Sequence, residues 1–244
     1  MNERILRQDD AGVCTLTLSR PDKLNALDGL TFEELDAHCA ALEDGTDTIG
    51  CVVLRAEGRA FCAGADLGSI ALPRSDRRWK PRVIERLARL PQPVIAAVHG
   101  VCFTGGLELA LACDFILADA SARFADTHGR WGFVGEWGLT QRLPRRIGLA
   151  QAKRMMLTAR EIGAEEALAL GLIDLLAEPG GLDPLVSGLA ANILANSWFT
   201  NMATKRLLRE TDGMTLDAAL SHDHYRHPGF APDHQERIAR FGKK

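Results

Sequence analysis

Apolar and polar residues alternate from Val13 to Leu18, after a shorter apolar start at Ile5-Leu6 and the turn residues Asp9-Asp10-Ala11-Gly12. Period-two alternation beside a Gly-bearing turn predicts a hairpin. Ser19-Arg20-Pro21-Asp22 breaks it, and the period then changes: Phe32, Leu35, Cys39 and Leu42 recur at helical spacing. Thr31 followed by Glu34 reads as a capping box opening that helix. Cys51-Val52-Val53-Leu54, Val94–Val98 and Phe115–Ala118 are short, unbroken apolar runs, the pattern of strands covered on both faces. A polar stretch from Arg74 to Lys80 precedes a helix carrying Val83, Ile84, Leu87 and Leu90, which Pro91 and Pro93 stop. A third helix is predicted from about Gly106 to Ala112. Strands alternating with helices imply an α/β core with mainly parallel pairing. After Gln141 only helical patterns recur, over roughly 149–158, 164–170, 184–195, 200–209 and 215–226.

Composition narrows the function. The 244 residues are 46% hydrophobic and 25% charged, with a formal net charge of -3. That balance lacks the basic excess of a nucleic-acid or membrane-surface binder. No apolar run approaches the roughly 18 residues a spanning helix requires, and Met1-Asn2-Glu3-Arg4 lacks the apolar core of a signal peptide. Cys14, Cys39, Cys51, Cys62, Cys102 and Cys113 form no CxxC pair and mostly sit in apolar runs. Buried free thiols and a cytoplasmic location are expected. His222, His224 and His227 do not have zinc-motif spacing, so no metal is expected.

Two glycine-bearing turns concentrate the chemistry. Ala60-Phe61-Cys62-Ala63-Gly64-Ala65-Asp66-Leu67 follows one buried strand, and His99 to Ala110, containing Gly105-Gly106, runs from another into a helix. Glycines also serve tight strand-to-helix packing alone. Backbone N–H groups left open at such a turn suit an anion or a developing oxyanion. Neither GxGxxG nor GxxxxGK[ST] occurs, so dinucleotide and P-loop folds lose their main support.

Five segments in register, Ser19-Arg20-Pro21-Asp22-Lys23-Leu24-Asn25-Ala26-Leu27, Phe61 to Leu67, Gly105 to Asp114, Gly138 to Pro144 and Gly163 to Asp174, resemble the enoyl-CoA hydratase/isomerase (crotonase) family. The resemblance implies a crotonase (ClpP-like) ββα spiral core over 1–185 and an all-helical C-terminal trimerisation region over 186–244. It implies an oxyanion hole of two amides, which fall on Ala65 and Gly105. Coenzyme A would lie along Lys23, Leu24 and Ala26 and along Ala63, Gly64, Asp66, Leu67 and Gly68. No further cofactor is implied beyond the coenzyme A thioester as substrate, and the partners implied are copies of the chain, as a trimer or dimer of trimers.

Glu108 matches one of the two catalytic glutamates of hydratases, and its apolar neighbours predict a buried carboxyl with a raised pKa. At the second glutamate the chain departs: that position holds His128, while Glu136 has entered a later loop where a small residue is usual. Either could supply the second proton function, with Glu136 expected to transfer the proton and His128 to orient. Glu136 could instead face water, and His128 could be a hydrogen-bonded wall. Hydration of a 2-enoyl-CoA is the first expectation. Alternatives are isomerisation, hydrolysis or displacement using Glu136, and a non-catalytic acyl-CoA binder.

Overall fold

The computed structural model describes residues 3–70 and 78–241. The chain enters as an antiparallel hairpin, β1 (Ile5–Asp10) and β2 (Val13–Leu18). Asp9 and Asp10 belong to the strand rather than the turn. Ala11 and Gly12, with φ of 46° and 86°, make the whole connection, a two-residue turn whose twist matches the strands.

The next helix, α1 (Gly29–Asp44), is capped differently from the expectation. Asp28, not Thr31, is the N-cap: its carboxylate accepts the Thr31 N–H at 2.9 Å, and the Thr31 hydroxyl answers the Asp28 backbone. Glu34 is engaged elsewhere, accepting the N–H groups of Arg4 and Ile5 at 2.7 Å each, which fastens β1 to α1.

Three ββα turns follow. The first is β3 (Cys51–Ala56), β4 (Ala60–Cys62), the short α2 (Leu67–Ile70) and α3 (Trp79–Ala88); of the polar stretch Arg74 to Lys80, residues 74–77 lie outside the described residues. The second is β5 (Val94–Val98), β6 (Val101–Phe103) and α4 (Gly105–Ala110). The third is β7 (Phe115–Ala118), β8 (Arg123–Ala125), a 3-10 turn at His128–Trp131, α5 (Leu139–Ile147) and α6 (Leu149–Thr158). Then come β9 (Glu161–Gly163), α7 (Ala164–Ala169), β10 (Leu175–Leu176), α8 (Leu182–Ala195), α9 (Trp198–Thr211), α10 (Leu216–Arg226) and α11 (His234–Phe241). The stretch after Gln141 is therefore not helical throughout: β9 and β10 return to the sheets.

Each turn places its first strand in one sheet, ordered β1-β2-β3-β5-β7-β10, and its second in another, ordered β4-β6-β8-β9. The pairings between successive turns are parallel in both sheets. This is the ββα spiral that the motifs imply. Alternation explains why its strands read as continuous apolar runs. Val52, Leu54, Val94, Ala96 and Ile116 enter the main core with Phe32, Phe61 and Phe124. Cys51, Val53, Ile95, Ala97 and Leu117 face the other way and pack on Val186, Ala190 and Ile193 of α8. The division expected at 185/186 thus falls within a helix that closes the larger sheet.

One polar side chain holds the first loop in place. Asn25, 2% exposed with φ 54°, donates through Nδ2 to the Glu57 and Ala60 carbonyls and accepts the Arg20 N–H, each at 2.8 Å. Asn25→Ala strands those three partners, each costing about 1–3 kcal/mol if left unsatisfied. A loss of about 3 kcal/mol or more in urea unfolding is expected, and an unchanged midpoint would refute this role.

Candidate active site

The turns after β4 and β6 press together where side chains are missing. A Cβ on Gly64, whose φ is 109°, would lie 2.0 Å from Thr104 Oγ1, and one on Gly106 would lie 2.3 Å from the Cys62 carbonyl oxygen. Glycine alone permits this approach. Thr104 sits at φ 46° and ψ −113°, its N–H held by the Ala125 carbonyl at 2.9 Å. Such backbone costs on the order of 1–3 kcal/mol and persists where its surroundings dictate it, often at functional sites.

Two amides remain open at this junction. Leu27 and Ala65 form an isolated parallel bridge, in which the Leu27 N–H donates to Gly64 at 2.8 Å and the Asp66 N–H donates to Leu27 at 3.0 Å. A parallel bridge uses the flanking groups of its partner residue, so the Ala65 N–H points off the pairing. Gly105 is the first residue of α4, where a helix leaves its N–H unpaired. Among the described residues neither amide makes a backbone hydrogen bond. Since α4 has only six residues, its dipole is small, and the availability of the Gly105 amide comes from its position.

Glu108 lies one turn along α4 and is 1% exposed. Its Oε1 accepts the N–H groups of Trp137 at 2.8 Å and Leu139 at 3.3 Å. Burial pushes the carboxyl up to about 6, against the opposing influence of His128 and the two amides. Across from it, His128 Nε2 stands 3.9 Å from Glu108 Oε2. The other ring nitrogen, Nδ1, is 2.7 Å from Asp126 Oδ1, which also accepts the His128 backbone N–H at 3.0 Å. Burial works against the imidazolium, but Asp126 and Glu108 together outweigh it, and the net direction is upward.

Glu136 is placed differently. It is exposed and borders an open cleft of about 550 Å³ with Arg82, Glu85, Trp137 and Arg142, a lining that includes neither Glu108 nor His128. Its neighbour Trp137 reaches inward instead: the main chain holds Glu108, and the ring lies so close to Gly105 that a Cβ there would be 2.3 Å from it. Phe32 meets that ring edge-on at 4.9 Å and Trp79 at 5.9 Å, giving an aromatic wall. Trp131 is exposed.

The two segments expected to hold coenzyme A lie side by side. The Ala63 N–H donates to the Leu24 carbonyl at 2.9 Å, and Arg20 bonds both the Ala26 carbonyl and Asp66, at 3.0 and 2.6 Å. Lys23, Leu67 and Gly68 are exposed, Leu24, Ala26, Ala63 and Asp66 half-buried, and Gly64 buried. Arg20 holds the Asp66 carboxyl below its usual range, and Asp66 also accepts the Gly68 N–H.

Asp126 and Trp137 were missed by sequence reasoning. Asp126 carried a usable signal: an Asp two residues before a His can take its backbone N–H and its ring at once. The Trp137 contribution is a main-chain N–H, which no side-chain pattern announces.

A family model described as enoyl-CoA hydratase/isomerase matches residues 8–238. The chain is 33% identical to the 1,2-epoxyphenylacetyl-CoA isomerase of Escherichia coli, covering 99% of this chain and 96% of that one. It is 31% identical to the short-chain-enoyl-CoA hydratase of Clostridium acetobutylicum, covering 89% and 85%. The crystal structure of an enoyl-CoA hydratase from Bacillus anthracis superposes with a TM-score of 0.91 at 30% identity, covering 98% and 96%. One from Mycobacterium tuberculosis gives 0.91 at 30%, covering 99% and 96%.

Proposed function

The chain belongs to the enoyl-CoA hydratase/isomerase family, and from that premise we propose that it adds water to a 2-enoyl-CoA thioester. The observation that carries this reading is the buried Glu108 carboxylate facing His128 Nε2 at 3.9 Å, on the helix that begins with the open Gly105 amide. Glu108 takes a proton from water as the oxygen bonds to the β-carbon. The thioester oxygen gains charge against the Ala65 and Gly105 amides, and the His128 imidazolium gives its Nε2 proton to the α-carbon. Glu108 then holds the proton that His128 lacks, and its return across the gap resets the pair. The protons balance within two side chains, and the reaction as written calls on no further cofactor. The coenzyme A moiety lies along Lys23 to Ala26 and Ala63 to Gly68, held mainly by backbone groups.

This reading gives the second proton function to His128 rather than Glu136. His128→Gln should lower crotonyl-CoA hydration by about 10²-fold or more, while Glu136→Gln leaves kcat nearly unchanged. Loss of enoyl absorbance measures both. A silent His128→Gln beside an inactive Glu136→Gln would return the role to the glutamate. Isomerisation is the second reading, favoured by the position of Glu108, a buried carboxylate on α4 beside the His128 ring: shifting a double bond needs a single base. His128→Gln would then spare conversion of a 3-enoyl-CoA to its 2-enoyl isomer.

We also propose assembly through the C-terminal helices, in a cytoplasmic setting. Leu189 and Ile193 pack on the chain's own sheet, but Leu208, Leu216, Leu220, Tyr225 and Ile238 are exposed. Such a surface favours a second copy. No helix among the described residues is long and apolar enough to cross a membrane.

A further inference from the structure

Asp126 takes no part in the reaction as written, yet it is 4% exposed at the end of β8. Its Oδ1 accepts the backbone N–H of His128 and stands 2.7 Å from the Nδ1 of the same residue. Burying a carboxylate is costly unless its partners compensate. Closing the turn alone needs no charge, because an Asn oxygen accepts the same backbone N–H. The charge therefore serves the ring. An ionised carboxylate only accepts, so at 2.7 Å the Nδ1 carries the proton. Nε2 is then the nitrogen left to face Glu108. Gly135 closes the remaining side: a Cβ there would lie 3.2 Å from His128 Cε1 and 3.1 Å from Glu108 Oε1.

We infer that Asp126 is a positioning residue, which fixes the His128 imidazole with Nδ1–H on its own carboxylate and Nε2 toward Glu108, so that the proton Glu108 takes from water can pass from Oε2 to Nε2. The inference rests on the hydratase reading for its catalytic consequence, though not for the ring state. In the neutral ring Nε2 then has a lone pair and can receive the proton Glu108 holds. In the charged ring it is a donor. A ring protonated on Nε2 alone would present a donor to Glu108 in both states and could not be recharged from it. The charged groups that face the ring are Asp126 from its own segment and Glu108 from α4. The loop from 132 to 138 brings Gly135 against it, and Arg130 on the same 3-10 turn is engaged with the Ala159 carbonyl of the segment after α6.

The test uses the full chain and two readouts. In the wild type, nitrogen NMR of His128 should show the neutral ring protonated at Nδ1; an Nε2–H tautomer would overturn the inference without any variant. Asp126→Asn keeps an acceptor for the backbone N–H and removes the charge. It should lower kcat on crotonyl-CoA about tenfold or more, leave KM nearly unchanged, and move the alkaline limb of the kcat profile to lower pH, because the imidazolium loses a stabilising neighbour. Asp126→Glu, which restores the charge, should bring the limb back toward its wild-type position. A loss of thermal stability with tautomer and limb unmoved would reduce Asp126 to a turn former. Failure of the hydratase reading looks different: the wild type would turn over no enoyl-CoA while the His128 ring still showed Nδ1–H.

Discussion

Glu108→Gln is expected to lower kcat by about 10²–10⁴-fold while acyl-CoA binding is retained, and to make the protein harder to unfold at neutral pH. The first effect follows from losing the carboxylate that removes a proton from water. The second follows from where that carboxylate sits. Unfolded, it titrates near 4.5; folded, burial lifts it to about 6. As pH rises through that window the unfolded chain ionises first, so stability falls and then levels off above about 6. The deficit is roughly 2 kcal/mol at pH 7. Below 4.5 both states are protonated and the deficit vanishes. Glutamine never ionises, and its amide oxygen still accepts the Trp137 and Leu139 N–H groups. Urea midpoints should therefore be higher for Glu108→Gln than for wild type at pH 8, with the advantage shrinking toward pH 4. An inactive variant that is also less stable at pH 8 would mean that Glu108 is a structural anchor and not a strained base.

Gly105→Pro should cost about 10²–10³-fold in kcat relative to Gly105→Ala, the loss that follows removal of one oxyanion donor. The comparison with alanine matters because both substitutions bring a Cβ against the Trp137 ring, which would lie 2.3 Å away. Only proline also removes the N–H. Alanine alone should reduce activity somewhat, since displacing Trp137 disturbs the main-chain N–H that holds Glu108. Circular dichroism and thermal melting establish that both variants fold. If the two folded variants turn over at the same rate, the Gly105 amide does not bind the oxygen.

The central strands of the larger sheet were legible because they are buried on both faces: Cys51–Leu54, Val94–Val98 and Phe115–Ala118 announce themselves as apolar runs, whereas the two-residue β10 does not. The smaller sheet was not. β4, β6, β8 and β9 have three residues each, too few for any period to emerge, and their pairing partners lie far away in sequence. Glu34 looked like a cap from its spacing to Thr31, but the distant Arg4 and Ile5 amides captured it. At the candidate site, the apolar neighbours of Glu108 foretold its burial correctly. Spacing placed Glu136 ahead of His128 for the second proton function, because it carries no sign of what separates them, which is orientation: one ring is held inward by Asp126, and the other side chain borders an open cleft. Thr104 gave no warning of its backbone conformation, which is set by the glycine turn pressed against it.

The six cysteines give the molecule a built-in reporter of its own opening. All six are buried and unpaired, and burial raises the thiols of Cys14, Cys39, Cys51 and Cys62 to about 12. Nearly none is thiolate at neutral pH, and a thiol without thiolate character or access does not react with an alkylating reagent. Labelling of the native chain then proceeds through fluctuations that expose the interior, and its rate at each cysteine tracks the free energy of the local opening. Cys51 faces α8, whereas Cys62 and Cys102 lie beneath the two glycine turns. Mass spectrometry of partially alkylated protein would therefore separate the detachment of a C-terminal helix from the loosening of the reaction centre, with no probe introduced.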